Sequence, residues 1–242
     1  MAHVLGAGSA SDGGGNSMGT TTNNSNLSRT LVISDGSLAS LVACAAAREA
    51  IVSAGGDEKA ARPVVLFMPV GDETNRARRQ AVEKQAKLYE LDIAEARGEL
   101  RGPGAHGSFG AGLSETLNLI GATYQAAQLG CDLVVWPVQF AGAPHVERIA
   151  RVVDRALLVT RLASLDSAEH GKPAIKVDTP FADLNDKQIA DLVIDMNVPV
   201  ELCWWWGAGP KDEHALQRAE RWVPVLQSLG WSPARSASTT SA

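Results

Sequence analysis

An α/β three-layer sandwich built on a mostly parallel sheet is the fold this sequence predicts. Three observations point there. Short runs rich in β-branched residues alternate with longer segments of helical period along most of the chain. Strands alternating with helices in this way argue for a parallel sheet covered on both faces. Finally, "LVISDGSLASLVACAAAREA" (Leu31 to Ala50) reads as a strand, a sharp turn and a helix, the arrangement that cradles phosphate in many nucleotide-binding folds.

The elements follow in order. Residues 1–28 are Gly, Ser, Thr and Asn with little to bury, so ordering them would not recover its entropy cost, and a disordered tail is expected. Gly6 and Gly8 hint at a dinucleotide fingerprint, but Ser11 holds the third glycine position and no strand precedes it. Leu31 to Ser34 is the first strand and Ser37 to Ser53 the first helix. "PVVLFMPV" (Pro63 to Val70) is a buried strand, and Glu73 to Tyr89 a helix with one charged face. The glycine-rich stretch from Arg97 to Gly112 is expected to be a loop that either borders a site or is mobile. A helix from Glu115 to Leu129, a strand from Leu133 to Val138, a helix from His145 to Ala163 and a strand from Ala174 to Pro180 come next. The following helix has a legible start: Asn185 caps it, Gln188 reaches back, and Leu184 with Ile189 forms the hydrophobic staple. A last helix spans Asp212 to Leu226. One domain over 29–232, with a second flexible tail over 233–242, is the expected organisation.

Bulk properties narrow the function. The chain of 242 residues is 45% apolar, ample for one large core. Twenty-two basic against 27 acidic residues leave a formal charge of -5, which disfavours a broad footprint on nucleic acid. The three cysteines, Cys44, Cys131 and Cys203, are too far apart for a zinc or redox pair and read as buried free thiols. With no long apolar run and no basic-then-apolar start, no membrane partner is expected and the cytoplasm is the default location.

Two separated stretches carry a resemblance. "SDGSLAS", from Ser34 to Ser40, is similar to the S-G-G-x-D-S pyrophosphate loop of the PP-loop ATP pyrophosphatases, a HUP/Rossmann-like group of adenine nucleotide alpha hydrolases. "TPFADLNDKQIADLVIDMNVPVELCW" (Thr179 to Trp204) more specifically resembles the carboxyl-terminal signature of the 7-cyano-7-deazaguanine synthases. Pro180, Asp183, Leu184, Ile189, Val198, Pro199, Glu201, Leu202 and Trp204 fall in step with it. The resemblance implies a PP-loop fold and the queuosine pathway, in which 7-carboxy-7-deazaguanine is adenylated with ATP and magnesium and converted to the nitrile with ammonia. It also implies a small purine-like ligand and a homo-oligomer.

The site positions depart from that pattern. Ser34, Gly36 and Ser37 keep an anion-binding turn open, but Asp35 stands at the family's first glycine, and Leu38 and Ala39 replace its aspartate and serine. A carboxylate about 4 Å from a phosphate, at an effective dielectric near 20, meets about 4 kcal/mol of repulsion, roughly a thousandfold in affinity. Asp35 therefore reads as capping its own helix and occupying the anion site, with a magnesium-ligand role as the alternative. Ser114 and Glu115 align with an arginine and an asparagine of the family, and Asp186 with its lysine, so the replacements remove positive charge. These departures argue against both ATP and magnesium.

The family's four zinc-binding cysteines have no counterparts here; Trp206 stands in place of the first, and zinc is not expected. His214, Asp212 and Glu213 read as a solvated helix start, His145 as a surface histidine, and His106 has no partner to support a role. The candidate ligand pocket is Ser114, Glu115, Asp183 and Trp204, beside a vestigial phosphate loop of Ser34, Asp35, Gly36 and Ser37. Catalytic residues are not assigned. Three readings follow: a protein of this family with lost or altered nitrile formation, an active ligase with a rearranged phosphate site, or a non-catalytic protein that uses Trp204–Trp206 as a contact surface.

Overall fold

The computed structural model describes residues 29–55, 61–69, 73–96, 110–142, 145–169, 174–207 and 212–233. The chain runs β1 (Thr30–Ser34), α1 (Leu38–Ala54), β2 (Val64–Phe67), α2 (Asn75–Leu88), β3 (Asp92–Glu95), α3 (Gly110–Gln128), β4 (Leu133–Val135), α4 (Val146–Glu169), β5 (Lys176–Asp178), α5 (Asp186–Asp195), a 3-10 turn (Val200–Leu202) and α6 (Glu213–Ser228). All strand pairings are parallel, and the order is β3-β2-β1-β4-β5. The chain steps one way from β1 to β3 and then returns to the other side of β1. The gap between the carboxyl ends of β1 and β4 is thus the switch point, where open sheets of this kind bind ligands.

Strand alternation divides the core into two layers. Val32 and Val65 face one side with α1, α2, α5 and α6, while Leu31, Ile33, Val64 and Leu66 face the other with α3 and α4. The outcome is the three-layer α/β sandwich anticipated from the alternation of elements. β1 is buried along its whole length because it has a neighbour on each edge and a helical layer on each face.

Several boundaries differ from the expectations. β3 is an addition to them: its "DIAE" places Asp92 and Ala94 half-buried and Ile93 and Glu95 exposed, so it lacks the apolar run that marks the inner strands. As the edge strand it is held by β2, with Val64 registered to Asp92. Helix α3 begins at Gly110, inside the stretch read as a loop, and the rest of that loop, with His106, lies outside the described residues. The expected disordered tail over 1–28 lies outside them too, as does the second tail from 234 onward. The capping box of α5 is formed: Asn185 Oδ1 accepts from Gln188 N–H at 3.0 Å, and Gln188 Oε1 from Asn185 N–H at 2.9 Å.

Candidate functional site

The strand-turn-helix unit at β1 sets the geometry. Ser34 ends the strand, and Gly36 turns the chain with φ +74°, a conformation open to glycine. A Cβ there would lie 2.8 Å from Arg78 O and 3.0 Å from Ala81 Cβ, so α2 packs directly on the turn. Two further anchors hold the loop from behind: Gly36 O accepts from Gln85 Nε2 at 3.2 Å and from the backbone N–H of Trp204 at 3.1 Å. Gln85 also donates to Leu202 O at 3.0 Å, tying "ELCW" to the loop. The carboxyl-terminal stretch is therefore a buttress of the turn.

Asp35 is not the residue that caps α1. Ser37 holds the N-cap position, and Asp35 lies two residues earlier, where its Oδ1 accepts from Ser37 N–H at 3.0 Å and from Ser40 Oγ at 2.7 Å. Its Oδ2 accepts from Arg78 Nη1 at 2.9 Å. Burial pushes this carboxyl up, but the Arg78 guanidinium and the Ser37 and Ser40 hydrogen bonds outweigh it and hold it below the ordinary carboxylate value. Arg78 is itself fixed: its Nε donates to Thr74 Oγ1 at 2.6 Å, and its guanidinium lies 4.1 Å from the centroid of Trp204.

A cavity of about 480 Å³ opens over this turn, in the size range of small-molecule sites. Its floor comes from the carboxyl ends of the strands: Ile33 and Ser34 of β1, Met68 after β2, and Trp136 to Gln139 after β4. Ser37 to Ser40 contribute the amino end of α1, whose first backbone N–H groups have no partners inside the helix. Arg218, Arg221, His214 and Trp222 of α6 close it from above, and Glu115 and Asn118 of α3 from the side. A smaller recess adjoins it, bounded in part by Arg78, Trp204, His214 and Arg218.

The wall carries three guanidinium groups, which corrects the expectation that the substitutions strip the site of positive charge. Arg78 pairs with Asp35. Arg221 pairs with Asp186, Nε to Oδ2 at 3.0 Å and Nη2 to Oδ1 at 2.6 Å, while Gln139 donates to the same carboxylate at 2.9 Å. Burial opposes ionisation of Asp186, but the Arg221 and Gln139 hydrogen bonds prevail and its pKa is lowered. Glu115 is held by Arg155 of α4 at 2.5 Å. Among the described residues Arg218 has no hydrogen-bonded or ion-paired partner. Partial desolvation, with Arg221 and Arg78 nearby, lowers its pKa below the ordinary arginine value against the pull of Asp35 and Asp186. An arginine remains cationic at neutral pH under such a shift.

The sequence-selected residues are only partly brought together. Ser34, Asp35, Ser37 and Glu115 line the cavity; Gly36 shapes the turn beneath it. Ser114 is not on the cavity wall, and Asp183 is exposed away from it. Trp204 lies under Arg78 at 5% exposure and borders the smaller recess. Trp205 is 2% exposed and Trp206 half-buried against Trp231, their ring centroids 5.4 Å apart. Two of the three indoles are therefore core, and within this block Trp206 alone is left partly open for a contact surface. Sequence reasoning misses Arg78, Arg218, Arg221, Asn118 and Gln139, which reach the cavity from elements distant in sequence from the turn.

Cysteine nucleophiles find no support. All three thiols are buried; burial pushes Cys44 up to about 12, Cys131 up to about 11 and Cys203 well above its ordinary value. Among the described residues no three His, Cys, Asp or Glu side chains converge as a metal site, and no helix is long and apolar enough to cross a membrane.

No family model and no curated protein sequence matches the chain. Among solved structures, the U34-tRNA thiolase NcsA from Methanococcus maripaludis, with its [4Fe-4S] cluster, is similar at 10% identity and a TM-score of 0.46, over 84% of this chain and 72% of that one. The N,N'-diacetylchitobiose deacetylase from Pyrococcus horikoshii is 14% identical with a TM-score of 0.44, over 84% and 77% of the two chains. The NAD+ synthetase from Burkholderia pseudomallei is 15% identical with a TM-score of 0.36, over 88% and 77%. Scores below 0.5 at such identities assign neither a family nor a function to this chain, which stands as an α/β protein with a five-stranded parallel sheet flanked by helices.

Proposed function

We propose that this chain is a 7-cyano-7-deazaguanine synthase-like protein of the PP-loop type in which ATP-dependent nitrile formation is lost or altered, and which binds a small purine-like acid in the switch-point cavity. The observation that carries the reading is the Asp35 carboxylate, which takes up the Ser37 N–H, the Ser40 hydroxyl and the Arg78 guanidinium. A pyrophosphate oxygen would need those same donors. The residues around the loop therefore do not suit a magnesium triphosphate.

Charge pairing indicates the ligand class. Asp35 offsets Arg78, Asp186 offsets Arg221 and Arg155 offsets Glu115. Arg218 is left as the cation able to meet a ligand, which suits one carboxylate better than several phosphates. The apolar walls of Met68, Leu119 and Trp136 suit a planar ring system.

Calorimetry tests this with 7-carboxy-7-deazaguanine, the corresponding neutral nitrile and magnesium-ATP. The carboxylate is expected to bind at least tenfold more tightly than the nitrile, a preference that Arg218→Ala abolishes, while magnesium-ATP shows no micromolar binding. A second reading draws on the three guanidinium groups: an active ATP-dependent ligase in which Arg78, Arg218 and Arg221 take over phosphate binding. Micromolar magnesium-ATP affinity in the unaltered protein would establish that reading over the first.

A further inference from the structure

Most of the large apolar side chains that the described chain leaves exposed lie on α3 and α4, the two helices that cover one face of the sheet. On α3 they form a heptad seam, Leu113, Leu117, Ile120 and Tyr124, at 62%, 53%, 39% and 67% exposure. On the outer face of α4 stand Leu157, Leu158 and Leu165, with Val153 and Leu162 on its two flanks, each between 37% and 66% exposed. At roughly 100 Å² of apolar area per large side chain, half-exposed on average, the two helices present on the order of 500 Å², the upper range of the largest patch on an ordinary monomer. With its polar rim, such a patch approaches the roughly 800 Å² per partner of a standard interface.

The order of residues along α4 says what covers it. Asp154 and Arg161 are exposed, seven residues apart on one face of the helix, and among the described residues neither has an ion-pair partner. A rise of about 1.5 Å per residue sets their backbones about 10 Å apart, too far to pair with each other. Laid antiparallel on a second copy, with the two-fold axis between Leu157 and Leu158, the helix becomes self-complementary. Asp154 then meets the partner's Arg161, Leu157 the partner's Leu158 and Ala150 the partner's Leu165. A two-fold contact makes each of these pairs twice. We infer that α4, flanked by the α3 seam, is the interface of an antiparallel homodimer of this chain, with the Asp154–Arg161 pair setting its register.

Sedimentation equilibrium of the full 242-residue chain tests this, with Asp154→Arg, Arg161→Asp and the double variant compared with the unaltered protein. Each single swap opposes like charges twice and should weaken the dimer roughly tenfold or more; the double swap should return it close to the original affinity. A chain that stays monomeric at every concentration overturns the inference, whether its own residues 1–28 or a foreign protein covers the face. A dimer indifferent to the single swaps, or not restored by the double one, overturns it as well. Should a swapped variant fail to fold, Asp154→Cys with Arg161→Cys decides: under oxidation it must give a covalent dimer, and its failure to do so refutes the register.

Discussion

Replacing Asp35 by asparagine should move stability and anion affinity in opposite directions. The carboxylate sits 2.9 Å from Arg78 Nη1, which places the charge centres about 4 Å apart, and at an effective dielectric near 20 their attraction is about 4 kcal/mol. Arg78 is 7% exposed but Asp35 is 35% exposed toward the cavity, so water screens part of this. The amide retains an acceptor for Ser37 and Ser40, and the expected net loss is about 1–2 kcal/mol. The same substitution removes a negative charge from the anion site and frees Arg78. Discounted in the same way, inorganic pyrophosphate should bind about ten- to a hundredfold more tightly. Urea denaturation with and without pyrophosphate, together with calorimetry, measures both quantities. At a hundredfold excess over its Kd the ligand should add about 2.7 kcal/mol, bringing the variant back to or above the stability of the unaltered protein. An Asp35→Asn variant of unchanged stability that binds pyrophosphate no better than its parent would refute the pairing argument.

Three other outcomes follow from the same contacts. Gly36→Ala should cost about 2–3 kcal/mol in urea denaturation, because a left-handed φ is combined with a Cβ pressed against the backbone of α2. Trp205→Ala should cost about 3–5 kcal/mol for the cavity left in the core and leave the oligomeric state unaltered; light scattering checks the second part. Asp35 and Asp186 both titrate below their unfolded value, so the stability they contribute is complete above about pH 4–5 and is lost as pH falls through the lower folded values. Stability measured against pH should therefore drop on the acid side, and Asp35→Asn with Asp186→Asn should flatten that limb.

The switch point was legible because it needs only element order and the position of the "SDGS" turn. The loop's electrostatics were not. Asp35 alone predicts repulsion of an anion, and the countercharge comes from Arg78, 43 residues away on a helix that the sequence presents as one charged face among several. Asp186 reads as a charge reversal in the family signature, yet it is held by Arg221 from the last helix. Edge strand β3 is faint in the sequence because a half-exposed strand carries a weaker apolar signal than its neighbours.

What the sequence by itself determined is local: the strand and helix periods, the Asn185 capping box and the glycine at the turn. Each depends on residues within a turn or two of one another, where backbone geometry leaves few alternatives. Only the tertiary structure decided which charges meet and which apolar faces stay open. Asp35 finds Arg78, and Asp186 finds Arg221, through the folding back of helices distant in sequence. The apolar positions of α3 and α4 read the same whether they face the sheet or water, since periodicity reports that a helix has an apolar stripe and says nothing of what lies against it.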